Sequence, residues 1–309
     1  MKPHRVLLLS VPAVLALSTD AFSRGTGYYS STVTRSTPSC GSCHSSNPGG
    51  VSVFVDPIQR SLSASAATSI IVRVSGPSGT TGGMACDVTA GTLSPGTNTT
   101  ITNGGLTHSN NSARTWTFGY TAPSSPGPVD LYTVAMASNG SGSSGDSWAF
   151  FGSDPAATQS TPVRMFVNAP GVVAYGTSCV GSYGNVPVAG SRQTPSVGNA
   201  SFSIEMWGAA PSSPASLLLG VTAYNPGIDL TFLGVSGCFL FVDPVATFAG
   251  TTSGGSAPRG EGNVTFPVPL PNVRSMIGHS LHFQALVVDS SSGRRTPLTL
   301  TNGLTVTFQ

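Results

Sequence analysis

Apolar and polar residues alternate with a period of two in several short stretches, the mark of half-buried β-strands. Trp116, Phe118 and Tyr120 alternate with Thr115, Thr117 and Gly119. Ser69–Val74, Val129–Met136 and Pro162–Val167 are further strand-like runs, ended by Gly/Pro or Gly/Ser punctuation. After Ala169-Pro170-Gly171 a second series begins. Its runs are Phe202–Trp207, Ser216–Ala223, Cys238–Val242, Val264–Val268, Leu281–Val288 and Leu304–Phe308. The pattern predicts an all-β chain with two β-sandwich domains in tandem, residues 51–168 and 175–309, joined by a linker at 169–174.

Composition agrees. Of 309 residues only 8% are charged, while Gly (38) and Pro (24) are abundant, as many turns between short strands require. The 39% apolar content is enough to build cores, so the low charge does not signal disorder. A net charge of +2 with no Lys/Arg cluster gives no footing for nucleic-acid binding.

The first residues read as a targeting segment. Lys2, His4 and Arg5 precede the mostly apolar Val6–Leu17, which is too short to span a bilayer. Ala21-Phe22-Ser23 offers one cleavage site and Ala16-Leu17-Ser18 another, so residues 1–23 are expected to be a signal peptide. No other run has transmembrane length. The protein is expected to be exported, to the periplasm, the cell surface or the medium.

Residues 24–50 have no strong periodicity and contain Cys40-Gly41-Ser42-Cys43-His44. Pro38 and Asn47-Pro48-Gly49 leave room for one or two helical turns around this motif. Cys-x-x-Cys-His is the attachment signature of haem c: two thioethers form at this spacing, and the adjacent His lies beneath the iron. Because haem c is attached after export, the motif and the targeting segment agree. The expectation is a haem-binding arm with Cys40 and Cys43 as attachment points and His44 as proximal ligand, one haem per chain. Such a haem would pin the arm to the first sandwich. The same Cys pair is also compatible with a small disulfide or half of a zinc site. No second pair of zinc ligands stands at similar spacing, and the βαβ pattern of a thioredoxin-like redox pair is missing.

For the sixth iron position His108, in Leu106-Thr107-His108-Ser109, is the candidate; a surface-turn histidine is the plain alternative. Met84 and Met136 are rival ligands that lie in strand-like runs, where core packing explains them. His279 and His282 point to opposite faces of a strand and make no metal pair. Asn139 and Asp146 flank a Gly/Ser loop that offers oxygen atoms for Ca²⁺, although turn chemistry explains the same residues. No catalytic triad, phosphate loop or paired carboxylates stand out, so an enzyme is the less favoured reading. Of the five cysteines, Cys179 and Cys238 are placed to form a disulfide, and Cys86 is expected to be buried in a strand.

The first domain resembles the choice-of-anchor V family, a Reeler-like group of exported bacterial proteins. The resemblance covers about residues 22–151. It rests on Ser39–Ser45, on Leu106–Ser109, on Thr115–Pro123, and on Gly145-Asp146 after an Asn/Gly/Ser loop. It implies a β-sandwich and raises His108 as the distal ligand. The terminal anchor that such proteins often carry is not visible. The second half resembles a Cys-paired β module at the C-termini of secreted bacterial proteins, through Tyr175–Cys179, Gly237-Cys238, Pro267-Val268-Pro269 and Thr301–Leu304.

Together these readings predict a monohaem electron-transfer protein acting with a redox partner protein or a neighbouring cytochrome, with self-assembly as one route to longer transfer. The alternative is a cell-surface adhesion or structural protein in which the haem or the Cys pair is structural. A haem sensor or peroxidase with an open distal site is a third reading.

Overall fold

The computed structural model describes residues 27–44, 50–57, 59–76, 79–140, 145–152, 158–254 and 262–309. The expected signal peptide lies outside these residues. The chain is all-β. Its first described residues form an arm with one short helix, α1 (Ser31–Arg35), and a 3-10 turn at Ser39–Ser42 that contains Cys40. The Ser30 side chain caps α1 by accepting from the Val33 N–H at 3.3 Å.

Eleven strands follow: β1 (Ser52–Pro57), β2 (Ser61–Ser63), β3 (Ala67–Ser75), β4 (Gly82–Val88), β5 (Thr92–Thr97), β6 (Thr99–Thr102), β7 (Gly105–His108), β8 (Thr115–Thr121), β9 (Gly127–Ala137), β10 (Ser147–Phe150) and β11 (Val163–Asn168). One sheet runs β1-β3-β8-β5. The other runs β2-β11-β9-β4-β7-β6, with β10 also paired to β9. The two sheets bury Trp116, Phe118, Tyr120, Ile70, Val72, Leu106 and Leu131 between them. The alternation read in Thr115–Thr121 is therefore the inward face of β8. Trp116 and Tyr120 are core residues, as are Met84 and Cys86.

The C-terminal half of β9 departs from alternation, with every residue from Thr133 to Ala137 buried. The cause is a cover on the sheet's outer face. Val134 and Met136 join Ala85, Trp148 and Phe150 in an outer cluster, capped by Val33 and Cys40 of the arm. A strand covered on both faces loses its polar positions.

Ten more strands complete the chain: β12 (Val172–Tyr175), β13 (Val188–Gly190), β14 (Ser203–Ala209), β15 (Pro214–Gly220), β16 (Ala223–Asp229), β17 (Phe239–Val242), β18 (Ala246–Thr251), β19 (Gly262–Pro267), β20 (Ser280–Val288) and β21 (Leu298–Thr307). A β12-β21-β20-β15-β18 sheet packs on β13-β14-β19 around Phe202, Ile204, Leu217, Phe266 and Phe283. β16 and β17 form a separate ribbon. The Cys179–Cys238 disulfide lies in a small cluster with Leu230, Val235 and Leu300. β12 starts at Val172, so residues 172–174 of the expected linker are strand.

The two sets of sheets meet through buried polar contacts. Asn168 Nδ2 donates to Ser61 Oγ at 2.8 Å, Ser61 Oγ donates to the Ala189 carbonyl at 3.1 Å, and the Ser191 N–H donates to Asn168 Oδ1 at 3.0 Å. Gly190 lies against the Phe166 ring, where an added Cβ would come within 2.0 Å. Arg164 stacks over Trp207 at 5.3 Å.

Candidate functional site

The arm is fastened to the first sandwich by one buried acid. Asp87, in β4, accepts from Tyr29 Oη at 3.0 Å, Thr34 Oγ1 at 3.1 Å, and Arg35 Nε and Nη2 at 3.1 and 2.8 Å. Arg35 also lies 4.6 Å over the Tyr132 ring. Further along, Ser36 bridges to Gln159, and Thr37 donates its N–H to the Thr158 carbonyl at 2.9 Å. The sequence reading left the pinning of the arm to a haem. Protein groups also hold it. One signal pointed to Asp87: a single acid in the apolar run Gly82–Val88 must find partners if that strand is buried.

This anchoring delivers the Cys-x-x-Cys-His segment to the outer face of the larger sheet. Cys40 lies within the 3-10 turn and packs on the Trp148–Phe150 cluster; those two rings meet edge-on at 5.4 Å. Burial pushes the Cys40 thiol up to about 12. Cys43 is exposed, and the two thiols are not bridged. The His44 N–H donates to the Cys40 carbonyl at 3.0 Å, which closes the turn.

His44 then meets Asp146, 102 residues later, with Nδ1 2.7 Å from Oδ2. The Asp146 side chain is fully buried and that of His44 only 12% exposed. The other carboxylate oxygen accepts from the Asn139 N–H at 3.0 Å. An ionised carboxylate only accepts, so Nδ1 carries the proton and the lone pair of the neutral ring is on Nε2.

His108 ends β7. Its Nδ1 lies between the Met84 N–H at 3.1 Å and the Met84 carbonyl at 3.2 Å. Accepting from the former puts the ring proton on Nε2; donating to the latter leaves Nε2 free as a ligand. Two glycines make room for the ring. A Cβ on Gly83 would sit 2.8 Å from Cε1, and one on Gly27 would sit 2.9 Å from Nδ1. Burial pushes the His108 imidazole below its ordinary value; the Met84 carbonyl opposes this, and His44 adds to it when protonated. His44 and His108 thus share one electrostatic neighbourhood.

The remaining sequence candidates divide. Both Asp146 oxygens engage N–H donors, so the geometry lends no support to calcium there; residues 141–144 of that loop lie outside the described ones. Among the described residues no group of three or more His, Cys, Asp or Glu side chains is arranged to hold a metal ion by itself. Cys86 is buried and its thiol is pushed up to about 12, an inert state. His282 makes a sheet-surface contact, Nδ1 lying 3.1 Å from Thr305 Oγ1.

A haem would take two thioether sulfurs and an imidazole nitrogen, and this donor set fits in kind. Two reduced cysteines are spaced by two residues, and the adjacent histidine has Nδ1 satisfied and Nε2 free. One feature opposes an unaltered fit: Cys40 faces the apolar cluster and would have to turn out of it to reach a haem vinyl group.

No family model matches the chain, and no curated protein matches it. Among solved structures it is similar to the Yersinia pseudotuberculosis adhesin InvE, with 17% identity, 84% of this chain, 59% of that chain and a TM-score of 0.21. It is also similar to the Escherichia coli adhesin FdeC, with 10% identity, 85% and 66% coverage and a TM-score of 0.22. A third is trypsin-activated α2-macroglobulin of Escherichia coli, with 9% identity, 82% and 15% coverage and a TM-score of 0.24. The chain therefore spans less than two thirds of each of these proteins. Overlap this low assigns no activity. Among the described residues, no helix is long and apolar enough to cross a membrane.

Proposed function

We propose that this is an exported β-sandwich protein that carries one haem c on its N-terminal arm and passes single electrons to a partner redox protein. The observation that carries the reading is the bond from His44 Nδ1 to the buried Asp146 carboxylate. A histidine that ligates metal through one nitrogen characteristically donates the other N–H to a carboxylate or carbonyl, which fixes the ring and raises its basicity. Cys40 and Cys43 would hold the group covalently through their sulfurs, and His44 Nε2 would bind its iron. When bound, haem c supplies a reversible one-electron iron couple.

Asp146 accepts from the Nδ1–H and orients the ring; beside a bound haem its negative charge would favour the oxidised form and lower the reduction potential. His108 would be the candidate for a second iron-binding nitrogen, in the tautomer that donates from Nδ1 to the Met84 carbonyl. The resemblance to choice-of-anchor V proteins supports the same pairing of His44 and His108. The basic and apolar N-terminal residues support export, as haem c attachment requires.

A second reading, an adhesion or structural role at the cell surface, is favoured by the Asp87 network. It holds the arm on the sandwich without a cofactor, as a strut would be held.

A visible spectrum of the protein exported from a host equipped for haem c maturation decides between them. Sharp reduced c-type bands that survive acidic solvent extraction, lost in Cys43→Ser, are expected. A colourless protein whose Cys40 and Cys43 are free or bridged would exclude the haem and leave the structural role.

A further inference from the structure

A cleft of about 740 Å³ runs between the two sets of sheets. One wall is the outer face of β1 and β3, where Phe54 lies opposite Arg73 and Asp56 opposite Ile71. The other wall is the segment that follows β12, from Gly176 to Val180. Arg60, between β1 and β2, lines the cleft.

Arg60, half-buried in the cleft wall, differs from other arginines of the chain. Arg35, Arg164 and Arg192 each pair with an acid: Asp87, Asp130 and Glu205. Arg114 donates to the Thr81 carbonyl at 2.9 Å. The Arg60 guanidinium has no hydrogen bond or ion pair among the described residues. Burial nevertheless pulls it down to about 10, while the charge on Asp56 opposes that shift. Asp56, which also lines the cleft, is largely exposed and lies 3.4 Å from Arg73, so it does not neutralise Arg60. The Arg60 backbone is fixed, because its carbonyl accepts from the Phe166 N–H at 2.7 Å.

A half-buried guanidinium without a counter-charge, set in the wall of a cleft, is placed to pair with an anion that enters it. The planar fork of arginine matches a carboxylate in two-point contact. The rest of the lining is largely apolar: Val53, Phe54, Ile71, Phe151 and Val180. Phe54 is 53% exposed and presents apolar surface to the cleft.

We propose that this cleft binds a small organic carboxylate, its head on the Arg60 guanidinium and its apolar body against Phe54 and Phe151. The site is independent of the haem reading, and either can fail alone.

Isothermal titration of the full chain with hexanoate, hexanol and hexylamine tests it. Saturable binding of hexanoate is expected at millimolar concentration, with hexanol weaker by about tenfold or more, as loss of a charged hydrogen-bonded contact implies. Hexylamine should not bind. Arg60→Gln should lose hexanoate to the same extent, and Arg60→Lys should keep part of it, both with an unchanged circular dichroism spectrum. Equal binding of hexanol and hexanoate, undiminished hexanoate binding by folded Arg60→Gln, or no saturable hexanoate binding would each overturn the proposal. The comparison of hexanoate with hexanol needs no variant, so it decides even where Arg60→Gln does not fold.

Discussion

His44 donates its Nδ1 proton to the buried carboxylate of Asp146 across 2.7 Å, and the same carboxylate accepts the Asn139 N–H through its other oxygen. One acid thus ties the arm to the loop that leads into β10. Asp146→Asn removes the charge but keeps the size. The His44 contact should weaken by about 1–3 kcal/mol, the usual cost of losing a charged hydrogen bond. Faster amide hydrogen exchange over residues 39–44 would register this. In haem-loaded protein the reduction potential should rise. Unchanged exchange and potential would mean that the pair does no positioning.

Asp87 gathers three arm side chains, Tyr29, Thr34 and Arg35. Asp87→Ala strands all of them and should release the arm, with a global loss of about 1–3 kcal/mol. Limited proteolysis should then cut within residues 27–44 before the sandwich is attacked. Arg35→Ala should cost less, up to about 1 kcal/mol, because the Arg35 side chain is 41% exposed and solvent screens its share of the pair.

The Cys179–Cys238 bridge closes a sequence separation of 59 residues. Loop-closure entropy for that length corresponds to about 4 kcal/mol of stability. Replacing both cysteines with serine should lower the urea midpoint of the second sandwich and leave the first unaltered. Coincident shifts in both would show that the two unfold as one unit.

Alkaline pH should unfold the protein through its tyrosines. Tyr29, Tyr120 and Tyr175 are each raised from 10.0 to about 12, chiefly by burial. Each hydroxyl also donates, to Asp87, the Ala90 carbonyl and the Phe241 carbonyl respectively. A phenol whose folded value is raised contributes stability that is complete below pH 10 and lost as the pH climbs through about 12. Titration followed at 295 nm should show these three ionising late, together with the loss of β-sheet circular dichroism. Ionisation of all seven tyrosines near pH 10 in folded protein would contradict the burial.

The period-two alternation in Thr115–Thr121 revealed a strand with its inner face on the core, because that signal is local. Val129–Met136 reads as a strand on the same local ground, but the burial of both faces over Thr133–Ala137 does not, because the cover comes from Val33 and Cys40, far away in the chain. The Cys179–Cys238 pairing was open to chemical reasoning, since exported cysteines seek partners. Asp146 drew attention as an oxygen donor in a turn. Its partner, His44, lies 102 residues away, and only the folded chain joins them.

By itself the sequence determined that this chain is all-β, that Trp116, Phe118 and Tyr120 share one face of a strand, and that Cys40, Cys43 and His44 stand in Cys-x-x-Cys-His spacing. Those features depend on residues near one another in the chain. The tertiary structure alone decided what each buried charge meets. Asp87 clamps the arm, Asp146 holds the His44 proton, and Arg60 faces a cleft without a counter-ion. Buried charges must find partners wherever packing brings them, and packing is a property of the whole fold.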